Sequence, residues 1–211
     1  DADPGHGGIR YNLPPMADRY AHMAIHPYPA HLAFEWPVQG GASVAIRPIR
    51  PEDAEIEQAF VRGLSPESKY FRFMDTLREL TPSMLARFTQ IDYDREMAFI
   101  AVIPADTARQ DGTGARAERE IGVCRYVTNP DGQTCEFALV VLDEWQRRGL
   151  GRRMMNVLIE TARARGLKQM VGHVLTHNAP MLALLSGLGF EILPSPDDAN
   201  VRRVQLRLPG T

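Results

Sequence analysis

The residues best suited to chemistry lie in one stretch, 135–153, where an apolar run passes into a basic turn that contains glycine. Residues 137–142 read FALVVL, and residues 146–153 read QRRGLGRR and continue into a helical pattern. A helix N-terminus points free backbone N–H groups at an anion, and the helix dipole favours negative charge there. The stretch therefore predicts an anion-binding turn between a strand and a helix.

The basic charge of the chain is concentrated rather than spread. The sequence has 24 Lys and Arg residues against 26 Asp and Glu residues, which gives a formal net charge of -2. General binding to nucleic acid needs a basic face, so no nucleic-acid partner is expected. Four arginines cluster at the turn: Arg147, Arg148, Arg152 and Arg153. This cluster favours a small polyanionic ligand, although a solvated helix face is an equal alternative for Arg152 and Arg153.

The number of cysteines and the hydropathy of the sequence indicate the cellular compartment. The 211 residues include two cysteines, Cys124 and Cys135, which are too few for a disulfide framework. No apolar run approaches the length that crosses a bilayer, and the N-terminus lacks the pattern of a secretory signal. These features predict a cytoplasmic protein with no membrane partner. The chain begins at Asp1 rather than Met, which suggests a fragment of a longer protein.

The length and the local composition predict one folded domain with an N-terminal extension. Residues 1–15 are rich in Gly, Pro and Asp, and residues 20–29 read as a short strand stopped by prolines. We therefore expect residues 1–42 to be an extended tail or linker, with the domain at 43–211. The tail histidines His22, His26 and His31 lack the spacing of metal ligands, so no metal is expected.

The domain itself alternates strands with helices, which predicts a mixed α/β fold. Apolar runs predict strands at 43–49, 97–103, 120–128, 133–142, 168–176, 189–193 and 201–208. Start signals predict helices after Pro51, Ser65, Thr81 and Asn178, and a fifth helix is expected at 149–165. Residues 104–119 are polar and contain glycine, so a mobile loop or hairpin excursion is expected there.

The turn and its flanks resemble a known family. Residues 146–151, QRRGLG, resemble the Q/R-x-x-G-x-G/A acyl-CoA motif of the GNAT acyltransferase superfamily. The element order over 43–208 is similar to that fold, a mixed, bent central sheet flanked by helices. The resemblance implies acetyl-CoA as cosubstrate and an acyl-CoA pyrophosphate at the turn. The residues that it assigns to the cosubstrate here are Gln146, Arg147, Arg148, Gly149, Leu150, Gly151 and Arg152, together with Asn178, which is equally plausible as a helix cap.

The resemblance also implies a role for the strand before the turn. In GNAT folds this strand carries a bulge and diverges from its neighbour, and the pantetheine amides pair with it. Leu139, Val140 and Val141 occupy that place. A backbone N–H of this segment would then polarise the thioester carbonyl, as an oxyanion hole does. Without the resemblance, the sequence indicates only a buried strand.

Acylation of an amine needs a group that removes a proton. A lysine amine has a reference pKa near 10.4, so its neutral form costs about 4.6 kcal/mol at pH 7. Glu136 is an unexpected charge at the start of the apolar strand, and in similar enzymes a glutamate there is the base; the alternative is an ordinary strand-end carboxylate. Alternation puts Cys135 on the opposite, buried face. Many GNAT enzymes have a tyrosine acid where this chain has Leu185, so no acid is assigned.

A narrower resemblance concerns the acceptor. Residues 46–53, 64–73 and 89–96 are together similar to the acetyltransferase domain of bacterial Pat-type protein lysine acetyltransferases, which often follows an ADP-forming acyl-CoA synthetase-like region. This implies transfer to the ε-amine of a protein lysine, such as the active-site lysine of an acyl-CoA synthetase, by direct attack in a ternary complex. The alternatives are the same fold acting on a small amine or amino acid, and a non-catalytic acyl-CoA sensor.

Overall fold

One eight-stranded sheet runs through the computed structural model, which describes residues 26–38, 43–108 and 116–209. The strand order is β1-β2-β3-β4-β5-β6-β8-β7, and every neighbouring pair is antiparallel except β5 with β6. The mixed α/β class expected from the sequence is confirmed. The strands are β1 (Phe34–Pro37), β2 (Ser43–Pro48), β3 (Glu96–Ala108), β4 (Arg116–Thr128), β5 (Thr134–Val141), β6 (Gln169–Leu175), β7 (Glu191–Pro194) and β8 (Val201–Arg207).

Five α-helices flank the sheet within the described ranges. Three of them begin where the sequence places a capping side chain. The side-chain oxygens of Ser65, Thr81 and Asn178 accept hydrogen bonds from backbone N–H groups in the first turn of their helices. The helices are α1 (Ala54–Gly63), α2 (Pro66–Phe73), α3 (Pro82–Thr89), α4 (Leu150–Ala164) and α5 (Ala179–Ser186).

The helices cover both faces of the central strands. On one face, the Cys124 thiol of β4 approaches the Met154 carbonyl of α4 at 3.6 Å. On the other face, the guanidinium of the next residue, Arg125, donates to the Phe88 carbonyl of α3 at 3.2 Å. Residues 97–102 of β3 are therefore enclosed from both sides and buried. This explains why their sequence is continuously apolar rather than alternating.

The sheet begins earlier than the sequence predicts. Phe34–Pro37 pairs with Ser43–Pro48 as an antiparallel hairpin, so part of the expected tail belongs to the sheet. The expected loop at 104–119 is also shorter, because β3 extends to Ala108 and β4 starts at Arg116. Both segments are polar or interrupted by proline, and local patterns do not show their pairing partners. Residues 26–29 form no strand. The tail assignment of residues 1–25 stays a prediction, because they lie outside the described part.

A buried charged cluster lies between α1 and the sheet. Glu57 of α1 and Glu120 of β4 are 2% and 1% exposed, and Arg125 is 7% exposed. Burial raises the pKa of the Glu120 carboxyl well above its usual range, and the nearby charge of Glu57 adds to this shift. Arg125 acts in the opposite direction without cancelling it. The fold therefore favours a protonated Glu120 next to Glu57.

Glu120→Gln is expected to stabilise the protein at neutral and higher pH. The pKa of Glu120 is raised in the fold above its ordinary value of about 4.5. Its contribution to the free energy of unfolding is therefore complete at pH values below about 4.5 and is lost as the pH rises through the folded-state pKa. Glutamine keeps the shape without titrating. We expect a melting temperature equal to the parent's near pH 4 and higher at pH 8, by about 2–4 °C per kcal/mol.

Glu160→Gln provides the matched control, because Glu160 is exposed on α4 and its replacement should not alter the pH dependence. Thermal unfolding across this pH range gives the measurement. A Glu120→Gln protein that is less stable than the parent at pH 8 would show that the ionised carboxylate stabilises the fold.

Candidate functional site

A cleft opens where β5 and β6 separate. The parallel pairing of these strands covers only Thr134, Cys135 and Glu136 of β5, whereas the antiparallel pairing of β5 with β4 continues to Val141. Residues 137–141 therefore have a backbone edge that no strand of the described sheet occupies. The Phe137 ring fills the narrow end, since a β-carbon on Gly172 of β6 would lie 2.6 Å from it. This open edge could accept an extended ligand with amide groups.

The bulge expected in β5 is not present in the described strand. Its register with β4 is unbroken from Cys135 to Val141. Two register shifts lie between β3 and β4 instead, and at one of them Ile121 is extra between the residues that pair with Ala101 and Val102. The expectation was therefore wrong for β5. The divergence of β5 from β6 accompanies the packing of the Phe137 ring, not an inserted residue.

Glu136 lies at the closed end of the cleft. It is the last β5 residue that pairs with β6, and its side chain is 54% exposed. Its Oε1 is 3.2 Å from Nδ1 of His173 on β6. Both side chains line a cavity of about 280 Å³ that the end of α2, the start of α5 and the two strands enclose. A carboxylate in this position is accessible to an amine that enters the cleft.

Cys135 occupies the opposite face, as alternation predicts. It is fully buried, and burial, with a smaller effect from the Asp131 charge, raises the pKa of its thiol to about 12. A thiol of this kind is a poor nucleophile. Leu185, at the position of the family's tyrosine acid, is also fully buried. Neither residue provides a reactive group in the cleft.

The turn after β5 is fixed against α2. Gln146 Nε2 donates to the Val141 carbonyl at 3.1 Å and contacts Ser68 Oγ at 3.3 Å. Asp143 accepts hydrogen bonds from the backbone and hydroxyl of Ser65 and from the hydroxyl of Ser68. Although burial opposes ionisation of Asp143, these hydrogen bonds outweigh it and lower its pKa. The Gln146 side chain thus builds the turn, and its ionised neighbour holds α2 beside it.

The backbone of the turn has an unusual conformation that leads directly into α4. Arg147 and Gly149 have positive φ angles of 59° and 85°, a conformation uncommon for a residue other than glycine. Gly149 is the N-cap of α4 and has no side chain to accept from the first turn, in contrast to Ser65, Thr81 and Asn178 at other helices. The backbone N–H groups that begin α4 are therefore left without a capping side chain, and N–H groups in this arrangement are able to bind an anion.

The arginines of the turn have different surroundings. Arg147 and Arg148 are exposed beside it, and the Arg148 guanidinium lies 5.1 Å from the centre of the Trp145 ring. Arg152 Nη1 donates to the Gly187 carbonyl at 2.9 Å, which links α4 to the end of α5. Arg153 lies over the Phe34 ring of β1 at 4.8 Å. Arg147 and Arg148 are thus the members of the cluster with the clearest access to the turn.

The remaining predicted residues contribute in other ways. Leu150 is fully buried, so only its backbone is available to a ligand. Gly151 faces Leu139 and Leu184, and a β-carbon there would lie 3.5 Å from each side chain, an ordinary contact. Leu139, Val140 and Val141 are at least nine-tenths buried. Asn178 caps α5 through Met181 N–H at 3.2 Å and also lines the cavity.

Three residues near the site were not predicted. Trp36 of β1 lies 3.9 Å from the position of a β-carbon on Gly149, so a segment assigned to the tail packs beneath the turn. His173 hydrogen-bonds to Glu136, and Arg72 of α2 lines the same cavity. The available signal for His173 was a polar residue inside an apolar strand. No local pattern identified β6 as the neighbour of β5 or placed Arg72 in the cleft.

Arg72 is half-buried, and its guanidinium lies near two aromatic rings. It lies 5.0 Å from the Phe73 ring centre and 5.9 Å from that of Phe88. Burial and the nearby charge of Arg125 lower the pKa of Arg72 to about 10, although Glu57 acts in the opposite direction. Arg72 is still a cation at neutral pH. An anionic group in the cleft would be stabilised by it.

Among residues 26–38, 43–108 and 116–209, no group of three His, Cys, Asp or Glu side chains is arranged to hold a metal ion. In that part of the chain, none of the helices has the length and hydropathy needed to span a bilayer.

Comparison with known proteins agrees with this geometry. The Acetyltransferase (GNAT) family matches residues 73–190. An acetyltransferase of Pseudomonas aeruginosa is 36% identical over 159 residues, which cover 75% of this chain and 81% of that protein. Acetyltransferase Pat of Mycolicibacterium smegmatis is 27% identical over 186 residues, which cover 84% of this chain and 50% of that protein. The chain thus spans about half the length of this second relative.

A solved structure shows the same fold. The GNAT domain of S. lividans PAT superposes with a TM-score of 0.74 and 26% sequence identity, and the match covers 86% of this chain and all of that domain. Because the family match also spans more than half of the sequence, the chain belongs to the GNAT family of acetyltransferases.

Proposed function

We propose that this acetyltransferase moves an acetyl group from acetyl-CoA to the ε-amine of a protein lysine by direct attack in a ternary complex. The observation that carries the proposal is the position of Glu136. Its exposed carboxylate lies at the closed end of the cleft, and the same strand leads along the open edge to the turn that we assign to the anion. A base and an anion site on one strand are the two features that this reaction requires.

The residues present fit coenzyme A. The N–H groups at the start of α4 and the adjacent Arg147 and Arg148 suit a pyrophosphate, because charge-assisted hydrogen bonds are worth about 1.5–3 kcal/mol each. The open edge of residues 139–141 suits the pantetheine amides. At this edge the Val141 carbonyl also accepts a hydrogen bond from the Gln146 side chain. Asn178 completes the cavity wall. When bound, acetyl-CoA supplies an activated thioester.

Groups of the chain itself then stabilise the developing negative charge and remove the proton of the amine. A backbone N–H of residues 139–141 stabilises negative charge on the carbonyl oxygen. Glu136 accepts the proton of the acceptor amine, directly or through water, which offsets the cost of about 4.6 kcal/mol of forming a neutral lysine at pH 7. With Leu185 buried, the thiolate leaves without a protein acid in that position.

The surface around the cleft supports a protein acceptor. Met74, which is 41% exposed, lines the cavity that holds Glu136, and Tyr70, which is 43% exposed, lies one turn earlier on α2. Contiguous exposed apolar surface marks sites that contact other macromolecules, and these two neighbouring side chains are the apolar surface available next to the cleft. The similarity to two proteins named Pat supports the same acceptor class. We propose an acyl-CoA synthetase as the partner and the cytoplasm as the compartment.

An acceptor panel tests this proposal. The protein is incubated with acetyl-CoA and purified acyl-CoA synthetases, and mass spectrometry locates the acetylated lysine. We expect modification of the synthetase's active-site lysine, and none in a synthetase whose active-site lysine is replaced by arginine. Acetylation of small amines or amino acids alone would contradict a protein acceptor. Binding of acetyl-CoA with no transfer to any acceptor would favour the sensor alternative.

A second candidate is transfer to a free amino acid, and Arg72 is the observation that favours it. Arg72 and Glu136 line the same cavity of about 280 Å³, near the lower end of small-ligand pockets. A cation and a carboxylate in one small cavity complement the carboxylate and the amine of an amino acid. A lysine within a protein chain has no free α-carboxylate to engage Arg72.

Arg72→Gln separates the two acceptor classes. If amino acids are the acceptors, loss of a charged hydrogen bond worth about 1.5–3 kcal/mol should raise their KM by about 10- to 150-fold. Turnover of a protein lysine should change little. The exposed Arg78→Gln is the control for removal of a positive charge near α2. An unchanged KM for amino acids in Arg72→Gln would remove this candidate.

A further inference from the structure

We propose that His173 is a positioning residue for Glu136: its Nδ1–H donates to Oε1 of the carboxylate and holds the base facing the acceptor amine. This inference rests on the proposed role of Glu136. The two atoms are 3.2 Å apart. The pair bridges β5 and β6 at the point where their backbone pairing ends.

The strand register explains how the two side chains meet. Glu136 pairs with Val171, and His173 follows two residues later on β6, so alternation places all three side chains on the same sheet face. Beyond Val171 the strands diverge, and backbone groups no longer connect them. A side chain that reaches back across the opening is then the link between the base and β6.

The bond restricts a side chain that is otherwise free to move. The Glu136 side chain is 54% exposed, and that of His173 is 46% exposed. An unrestrained glutamate has rotamer freedom worth up to about 1.5–2 kcal/mol. Fixing Oε1 leaves Oε2 to face the cavity, where the amine proton must be accepted. Proton transfer requires this alignment, because a base works only within hydrogen-bond reach of the proton.

The charged groups around the pair are compatible with this role. Arg203 of β8 is the register partner of His173 on its other side, and Arg72 lines the cavity from α2. Both are cations, so Glu136 is the anionic neighbour toward which a histidine donor is directed. The tautomer with hydrogen on Nδ1, or the doubly protonated ring, makes this bond.

Two variants of His173 test the inference by steady-state release of CoA thiol with an acceptor that the parent uses. His173→Leu keeps the bulk and removes the donor, and we expect kcat to fall by about tenfold or more while the KM for acetyl-CoA is retained. His173→Asn restores an N–H donor near the Nδ1 position and should recover most of kcat. Equal losses in the two variants, or full activity of His173→Leu, would overturn the inference.

A double-variant cycle distinguishes positioning from a structural role. If His173 acts only through Glu136, His173→Leu should have no further effect in a Glu136→Gln background. Additive losses would overturn the inference. Failure of the proposed function has a different signature, because unchanged turnover of Glu136→Gln alone would remove the base itself. A large loss for Glu136→Gln with none for His173→Leu would leave the base in place and remove only His173.

Discussion

Glu136→Gln is expected to lower kcat by about 10²–10⁴ while the affinity for CoA stays at the parent's value. The amide has the size of the carboxylate and keeps an oxygen that accepts from His173, but it cannot take the proton of the amine. Glu136 lies at the closed end of the cleft, away from the turn that we assign to the pyrophosphate. Steady-state thiol release measures kcat, and calorimetric titration with CoA measures binding.

The pH dependence sharpens this prediction. The neutral fraction of a lysine with a reference pKa near 10.4 grows about tenfold for each pH unit above 7. The defect of Glu136→Gln should therefore shrink between pH 7 and pH 9, because more acceptor arrives without a proton to lose. Glu160→Gln, on the exposed side of α4, is the control and should behave as the parent. Unchanged turnover of Glu136→Gln at pH 7 would exclude Glu136 as the base.

Gly149→Val should weaken CoA binding by about 10- to 100-fold. The φ angle of Gly149 is 85°, a region that a β-branched residue adopts only with strain. Relief of this strain turns the first N–H groups of α4 away from the pyrophosphate, with a loss of about 1.5–3 kcal/mol for each charge-assisted bond. The β-carbon itself meets no closer obstacle than the Trp36 ring at 3.9 Å, an ordinary contact. Calorimetry with CoA gives the dissociation constant.

Gly166→Val is a matched control for backbone strain. Gly166 lies beyond the other end of α4 with a φ angle of 77°, and no atom of the described structure lies within 4 Å of the position of its β-carbon. Both substitutions should lower the melting temperature, but only Gly149→Val should lose affinity for CoA. Normal CoA binding by Gly149→Val would show that the pyrophosphate lies elsewhere. Equal loss in both variants would attribute the effect to strain alone.

The sequence by itself determined the local parts of this site. The order of apolar strand, glycine-bearing turn and helix was readable because each element has its own period and end signals. The opposite faces of Cys135 and Glu136 followed from strand alternation, and the structure confirms that Cys135 is buried and Glu136 exposed. The caps at Ser65 and Asn178 depend on bonds within one helical turn. Such features need no knowledge of distant residues.

The tertiary structure decided which distant residues join that site. The contact of Glu136 with His173 exists because β6 pairs beside β5 and then separates from it. Likewise, Trp36 reaches Gly149 from the expected tail, and Arg152 is directed to Gly187. The longest of these contacts, from Trp36 to Gly149, connects positions 149 − 36 = 113 residues apart. The periodicity of apolar residues predicts which face of an element is buried. Sheet order and packing determine which other element covers that face.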